Sequence, residues 1–357
     1  MLNWLLIFVP AAIALAFLSP ASHSLVFIAA CLAIVPLAGW LGEATDRLSR
    51  HCGDGVGALL NVTFGNAAEL ILAGMALRHG LYTVVKASLT GSIIGNILFV
   101  LGAAALAGGV RHKEQTFNTT AARSQATLLT LASIALIVPA AFHLLAGPDA
   151  RVGVDNLSLL ISAVLLVTYG LNLLFSLYTH KQLFAASRTP EPESGRPWSR
   201  RKALLVLAGA TALIAWVSEI LVGSVEPAAA AFGMTRIFVG VIVVAIVGNA
   251  AEHSTAVMMA LRNRMELSLG IAIGSSLQIA LFVAPALVIV SHFVGPRPMD
   301  LVFTPAEVLA VFVAVLITGQ IASDGKSNWL EGVQLLVVYF ILAVAFYLLP
   351  EAPNAVR

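Results

Sequence analysis

Two glutamates sit where a carboxylate is costly. Glu69 and Glu252 each lie well inside a long apolar run, and each ends the same pentapeptide, Gly-Asn-Ala-Ala-Glu, at residues 65–69 and 248–252. A carboxylate at the centre of a bilayer costs roughly 3 kcal/mol or more unless it is paired, protonated or facing a wet cavity. No Lys or Arg stands beside either one. A bound cation, or protons in its absence, is the natural compensation. Two carboxylates neutralise one divalent ion, and Ca2+ is a hard cation that takes roughly six to eight oxygen ligands.

The neighbouring residues offer such oxygens. Asn66 and Asn249 each stand three residues before the glutamate, a spacing that puts amide and carboxylate on one helix face. Gly65 and Gly248 relax the helix there. A distorted turn could free backbone carbonyls, which membranes tolerate only where an ion or a cavity re-satisfies them. The second helix of each region adds Ser88, Thr90, Ser92 and Asn96, then Ser275, Ser276 and Gln278. A lone serine is equally well explained by an interhelical hydrogen bond. Asn96 and Gln278 point more strongly to the site, because a buried amide needs partners. The candidate cation-binding set is Asn66, Glu69, Ser92, Asn96, Asn249, Glu252, Ser275 and Gln278, with Glu69 and Glu252 carrying the coupling.

Two further groups flank this set. His253 follows Glu252, where the first copy has Leu70. Adjacent helical residues face different ways, so His253 is read as a supporting or proton-path residue, or as a satisfied interhelical histidine. Glu43 and Asp46 end the second apolar run, and Glu219 and Glu226 fall at the end of the seventh and just after it. These four could line an entrance, act in gating and attract cations, or simply be solvated helix ends.

The elements that carry these residues are expected to be membrane helices. The chain of 357 residues is 59% hydrophobic and only 11% charged, where a soluble protein has roughly 25% charged residues. Apolar runs long enough to span recur near 3–18, 23–42, 54–77, 82–107, 124–146, 157–179, 203–222, 235–260, 266–291, 302–319 and 332–349. The start lacks a basic region and a clear cleavage site, so the first run is read as a real helix. Fourteen Lys and Arg residues fall in the even-numbered loops and five in the odd ones, which places the even loops and the N-terminus in the cytoplasm and the C-terminus outside. A net charge of +2 gives no sign of nucleic-acid binding, and Cys31 and Cys52 show no pairing pattern.

The segments 65–100 and 248–283 match at a constant offset of 183 residues. Beyond the pentapeptide, Gly91-Ser92 matches Gly274-Ser275, Leu98-Phe99-Val100 matches Leu281-Phe282-Val283, and Glu43 falls on Glu226. The copies lie five spans apart, so they cross the membrane in opposite directions. The expected architecture is an all-α polytopic membrane protein of about eleven transmembrane helices: an extra N-terminal helix within 1–20, a five-helix repeat over 23–179, a cytoplasmic connector over 180–202, and an inverted five-helix repeat over 203–350.

Charge accounting then suggests exchange. With Ca2+ bound both glutamates are ionised. Without it, desolvation and mutual repulsion favour protonation. If the empty, fully charged site cannot change sides, Ca2+ and protons must alternate. At least two protons per Ca2+ fit this scheme.

Nearly the whole chain resembles the calcium/proton exchanger family of the cation/calcium exchanger superfamily. The likeness rests on the two GNAAE pentapeptides, IVPLAGWLG at 34–42, GSIIGNILFVLG at 91–102, VSEILVGSVEP at 217–227 and GSSLQIALFVAP at 274–285. It implies an antiporter, not an enzyme, that moves Ca2+ against H+ by alternating access with no cofactor. It also implies acids like Glu69 and Glu252, amides like Asn66, Asn249, Asn96 and Gln278, and gating by the second and seventh spans. A bacterial inner-membrane protein, alone or as a homodimer or homotrimer in the lipid bilayer, fits the likeness. The connector departs from the acidic regulatory helix of several relatives, with only Glu191 and Glu193 against six basic residues. With the first span starting near residue 3, an autoinhibitory N-terminal tail of the plant or yeast kind is not expected. The rivals are a Na+/Ca2+ exchanger, a monovalent cation/proton exchanger and a passive divalent channel. Sodium-coupled relatives carry a proline before the repeat glutamate, whereas this chain has Ala68 and Ala251. A membrane enzyme would need a nucleophile or metal centre near a membrane face.

Overall fold

The computed structural model describes residues 3–52, 57, 60, 61, 63–146, 151–184 and 198–350. Bare backbone N–H and C=O groups are not tolerated in hydrocarbon, so the apolar runs close their hydrogen bonds internally as helices. In chain order these are α1 (Asn3–Leu18), α2 (His23–Ser49), α3 (Ala67–Arg78), α4 (Tyr82–His112), α5 (Thr119–Ala146) and α6 (Val152–Thr179). They continue with α7 (Arg200–Phe232), α8 (Arg236–Gly248), α9 (Ala250–Leu261), α10 (Met265–Val294), α11 (Pro305–Ile321) and α12 (Trp329–Leu348).

Among the described residues seven helices are long and apolar enough to cross a membrane, and α8 with α9, bent by 63° at the break, makes an eighth if the pair counts as one span. The chain is therefore a polytopic, largely α-helical membrane protein. The expected first and tenth spans are the shorter helices α1 and α11. The expected third span, 54–77, is seen as α3 with a few residues before it; positions 53–56, 58, 59 and 62 lie outside the described residues. So do 185–197 of the expected connector, including Glu191 and Glu193.

Two expectations need correction. The fold is not wholly helical: β1 (Glu114–Thr116) and β2 (Lys326–Asn328) pair antiparallel, with Gln115 opposite Ser327. Several helices also outrun their apolar stretches. α7 runs 33 residues to Phe232, so Glu219 and Glu226 both lie within it rather than at and beyond its end. Hydropathy reads only the part of a helix that meets hydrocarbon, whereas hydrogen bonding carries the helix on until something stops it. Here Gly233 stops it in the left-handed conformation at φ 65°.

The described residues fall into two compact units. The first draws on 1–88, 190–251 and 349–357. Its centre is α2 packed along α7. Ala29, Ala33 and Ala44 on α2, with Ala203, Ala210 and Ala228 on α7, are all buried. Such small residues let helices approach closely where lipid offers no hydrophobic drive for association. Ile34, Leu41, Ile214 and Leu221 fill the remaining space. At the described end of the expected connector, Trp198 lies tilted beside Trp40 at 6.1 Å between ring centres, and Lys202 Nζ lies 4.4 Å from the Trp198 ring centre.

The second unit draws on 89–189 and 252–348. Here α12 packs on the C-terminal half of α4. Gly109 and Gly332 are required by that approach, because a Cβ on either would strike the backbone of Trp329 or Leu106. The small sheet carries Gln115 to the end of α9. Its Nε2 donates to the Ala260 carbonyl at 2.8 Å and to Asn263 Oδ1 at 3.0 Å, while His112 Nε2 donates to the Leu261 carbonyl at 2.9 Å. These side chains satisfy carbonyls that the helix end leaves open. α11 starts on a capping box, with Thr304 accepting from Glu307 N–H and the Glu307 carboxylate accepting from Thr304.

Candidate functional site

Each copy of the pentapeptide interrupts its helix at the asparagine. Asn66 has φ −104° and ψ 27°, and Asn249 has φ −93° and ψ 8°. Both values fall in the sparsely used bridge region. Asn249 repairs part of the damage itself: its side-chain Nδ2 donates to the Ala245 carbonyl at 2.9 Å, and its backbone N–H reaches the same oxygen at 3.2 Å. Asn66 and Asn249 are both buried.

The interruption creates a new helix start inside the apolar run. Glu69 then falls in the first turn of α3 and Glu252 in the first turn of α9. Open N–H groups and the helix dipole at such a start favour negative charge. One local distortion thus opens the helix and gives its carboxylate a hospitable field.

The environments of the two glutamates differ. Glu69 lies against Gly248, the first residue of the other pentapeptide: a Cβ there would sit 3.4 Å from Glu69 Cγ and 3.7 Å from Oε1. Glu252 stands at the end of a short relay. Asn96 Nδ2 donates to Ser275 Oγ at 3.0 Å, and Ser275 Oγ donates to Glu252 Oε2 at 2.8 Å. Asn96 and Ser275 are buried and come from the two different copies of the repeat.

A backbone feature accompanies the relay. α4 and α10 each contain a π-helical turn, at Gly95–Val100 and Ile279–Val283. Val100 and Val283 match at the 183-residue offset. π turns shift the register of a helix face and are frequent at functional sites. Asn96 lies inside the first, and Gln278 immediately precedes the second.

The remaining expected residues divide. Ser92 is buried and Gln278 half-buried in their helices. Ser88 donates to the Val85 carbonyl of its own helix, and Ser276 to the Ala272 and Ile93 carbonyls, so both hydroxyls serve packing. His253 meets the Phe99 ring edge-on at 6.0 Å. The four flanking acids each face a base: Glu43 with Arg47 at 3.6 Å, Asp46 with Arg50 at 2.7 Å, Glu219 with His79 at 2.8 Å and Glu226 with Arg236 at 3.2 Å. These pairs weaken the attraction that a bare acidic entrance would exert.

One buried carboxylate was missed by the sequence reading. Glu307 is 2% exposed and accepts from Thr304, with Thr90 Oγ1 at 3.4 Å. Its signal was present as Thr-Pro-Ala-Glu before an apolar run, the pattern of a capping box.

The profile of the sodium/calcium exchanger protein family matches residues 22–178 and again 202–348. A Ca(2+)/H(+) antiporter of Aphanothece halophytica is 47% identical over 345 residues, covering 92% of this chain and 91% of that protein. One of Synechocystis sp. is 48% identical over 340 residues, covering 91% of each. This chain belongs to the Ca2+/H+ antiporter family. The structure of native YfkE, at 40% identity, superposes with a TM-score of 0.81 over 97% of this chain and 100% of that one. Within the cation/Ca2+ exchanger superfamily, Ca2+/H+ antiporters are transporters rather than enzymes. Ala68 and Ala251, where sodium-coupled relatives were expected to carry proline, agree with that placement.

Proposed function

We propose that this protein exchanges Ca2+ for protons across the membrane by alternating access, with Glu69 and Glu252 alternately binding Ca2+ and protons. Membership of the Ca2+/H+ antiporter family supports the substrates. The observation that carries the site is the pair of broken helices, each starting again at an asparagine and placing a glutamate in its first turn. Asn66, Asn249, Asn96, Ser275, Ser92 and Gln278 supply further oxygens, as a hard cation demands. Ser275 holds Glu252 in place when the cation is gone. His253 supports the second copy, and the four flanking acids act as paired latches near the entrances.

The same reading covers the architecture. Eleven spans arranged as one N-terminal helix, a repeat over 23–179, the connector 180–202 and an inverted repeat over 203–350 agree with a family profile that matches twice. The matching asparagine breaks and π turns give each half the same two irregularities. The loop charges support an N-terminus in the cytoplasm and a C-terminus outside, and the bacterial relatives support an inner membrane. Nothing in the charge pattern calls for nucleic acid. A homodimer or homotrimer is compatible with the exposed apolar helix faces, which include Leu160, Val164 and Leu171.

The test uses liposomes with a pH-sensitive dye inside, an imposed proton gradient and no sodium or potassium gradient. Ca2+ uptake should drive proton exit, and Glu69→Gln or Glu252→Gln should abolish both. Calcium flux that requires sodium, or that proceeds without protons, sinks the assignment.

A further inference from the structure

The π turns of α4 and α10 share a second feature that the cation site does not use. Phe99 in the first turn lies against Tyr339 of α12 at 5.1 Å between ring centres, tilted by 36°, and Phe282 in the second stacks on Tyr169 of α6 at 5.4 Å. Phe99 and Phe282 match at the 183-residue offset. Each tyrosine belongs to the last helix of the opposite half. The halves have therefore kept one arrangement twice, a repeat phenylalanine against a tyrosine of the other half's closing helix.

The rings alone do not account for tyrosine. Tyr169 is 6% exposed and Tyr339 3%, yet neither hydroxyl has a hydrogen-bond partner among the described residues. Phenylalanine would stack as well, without a buried O–H to satisfy. Lipid cannot serve as the partner, since it offers nothing to a hydroxyl at that depth and the groups are shielded from it. A π turn is a place where the helical ladder opens enough for water to insert. Tyr339 also lies next to the exchange site, because Phe99 contacts both Tyr339 and His253, the neighbour of Glu252, and stands three residues from Asn96.

We propose that the hydroxyls of Tyr169 and Tyr339 are hydrated points on the route by which protons reach the exchange site, one for each half. The proposal rests on the Ca2+/H+ exchange reading for the word proton, and on the two orphaned hydroxyls for the water. Each phenol donates to a water held beside a π turn, and that water links the site to the proton supply. Deleting a hydroxyl while keeping its ring should slow proton delivery without changing how Ca2+ is held.

Two measurements on the full chain test it. Hydroxyl-radical footprinting read by mass spectrometry reports water beside a side chain whether or not the protein transports. Tyr169 and Tyr339 should be labelled well above buried Phe27, with exposed Tyr178 as the upper reference. In liposomes, Tyr339→Phe and Tyr169→Phe should each slow Ca2+-driven proton flux by about fivefold, the factor set by one net hydrogen bond. The pH profile of the rate should shift, and equilibrium 45Ca2+ binding should stay within about twofold, since no ligand is removed. If neither tyrosine is labelled, or if both phenylalanine variants transport like the parent at every pH and melt higher, the proposal is wrong. If the parent itself moves Ca2+ without protons, the exchange reading fails, while the footprint still reports hydration.

Discussion

The two copies of the Gly-Asn-Ala-Ala-Glu segment share a backbone but not a set of neighbours. Both break at asparagine and restart with glutamate in the first turn. In the first copy Glu69 rests beside a residue with no side chain, Gly248. In the second, Glu252 accepts from Ser275, which accepts from Asn96. At the far ends the contrast reverses in character. The first copy's helix ends on His79, whose Nε2 lies 2.8 Å from Glu219 Oε1, with both side chains 42% exposed. The second ends on Ala260 and Leu261, whose carbonyls are capped by Gln115 and His112. Under the proposed exchange, the shared parts are those that neutralising one divalent ion would demand twice, and the unshared parts would set how firmly each carboxylate is held.

The largest effect should be blind to this difference. If both glutamates must neutralise one divalent ion, Glu69→Gln and Glu252→Gln should lower exchange equally, by about 100-fold or more, since each leaves a buried charge uncompensated. A variant of one copy that keeps a tenth of the parent flux would break the symmetry and leave a single essential carboxylate. Proton and 45Ca2+ fluxes in the same vesicles measure this.

Ser275→Ala should separate the copies. It removes the donor to Glu252 and the acceptor of the Asn96 amide bond, so the apparent Ca2+ affinity should fall by about tenfold, the weight of a hydrogen bond to a charged group. Ca2+ titrations of the exchange rate measure it. An unchanged affinity would mean that the relay is only packing.

Much of this was legible in the sequence, for physical reasons. A polar pentapeptide repeated in apolar surroundings cannot be incidental, because each buried Asn and Glu has a cost that must be offset by a role. Its glycines also suggested a relaxed turn, and the break takes in Gly65 and Asn66 in the first copy and Asn249 alone in the second. What could not be read depends on distant partners. Nothing in the order of residues shows that Asn96 meets Ser275, separated by 179 positions. The His79 partner of Glu219 and the Arg236 partner of Glu226 were hidden for the same reason, and hydropathy ended α7 too early. The sheet at Gln115 was invisible because three-residue strands carry no periodicity.

Gln115→Ala tests how far the second copy depends on its end. Gln115 is 2% exposed, and its loss leaves two acceptors without their donor. Stability in detergent should drop by about 1–3 kcal/mol, with little response to salt. Thermal unfolding at two ionic strengths measures it, and a strong salt dependence would contradict neutral capping. Gly248→Ala probes the first copy at its glutamate. The new methyl would sit at ordinary contact distance from Glu69 Cγ. The protein should fold, with a rate loss of about twofold to fivefold as the carboxylate loses room. An unaltered rate would show that Glu69 does not need that space.

The smallest effect belongs to the first copy's end. His79 Nε2 and Glu219 Oε1 are 2.8 Å apart, and both side chains are 42% exposed. Water and salt screen such a pair, so Glu219→Gln should cost only about 0.2–1 kcal/mol. A double-mutant cycle with His79→Ala isolates the pair from the packing of each side chain. The coupling should vanish above about 1 M salt, where charges are screened within about 3 Å. Coupling that survives high salt, or that matches the Gln115 effect, would mean that both copies are anchored alike. The asymmetry would then lie only at the glutamates, where Ser275 serves one copy and Gly248 makes room for the other.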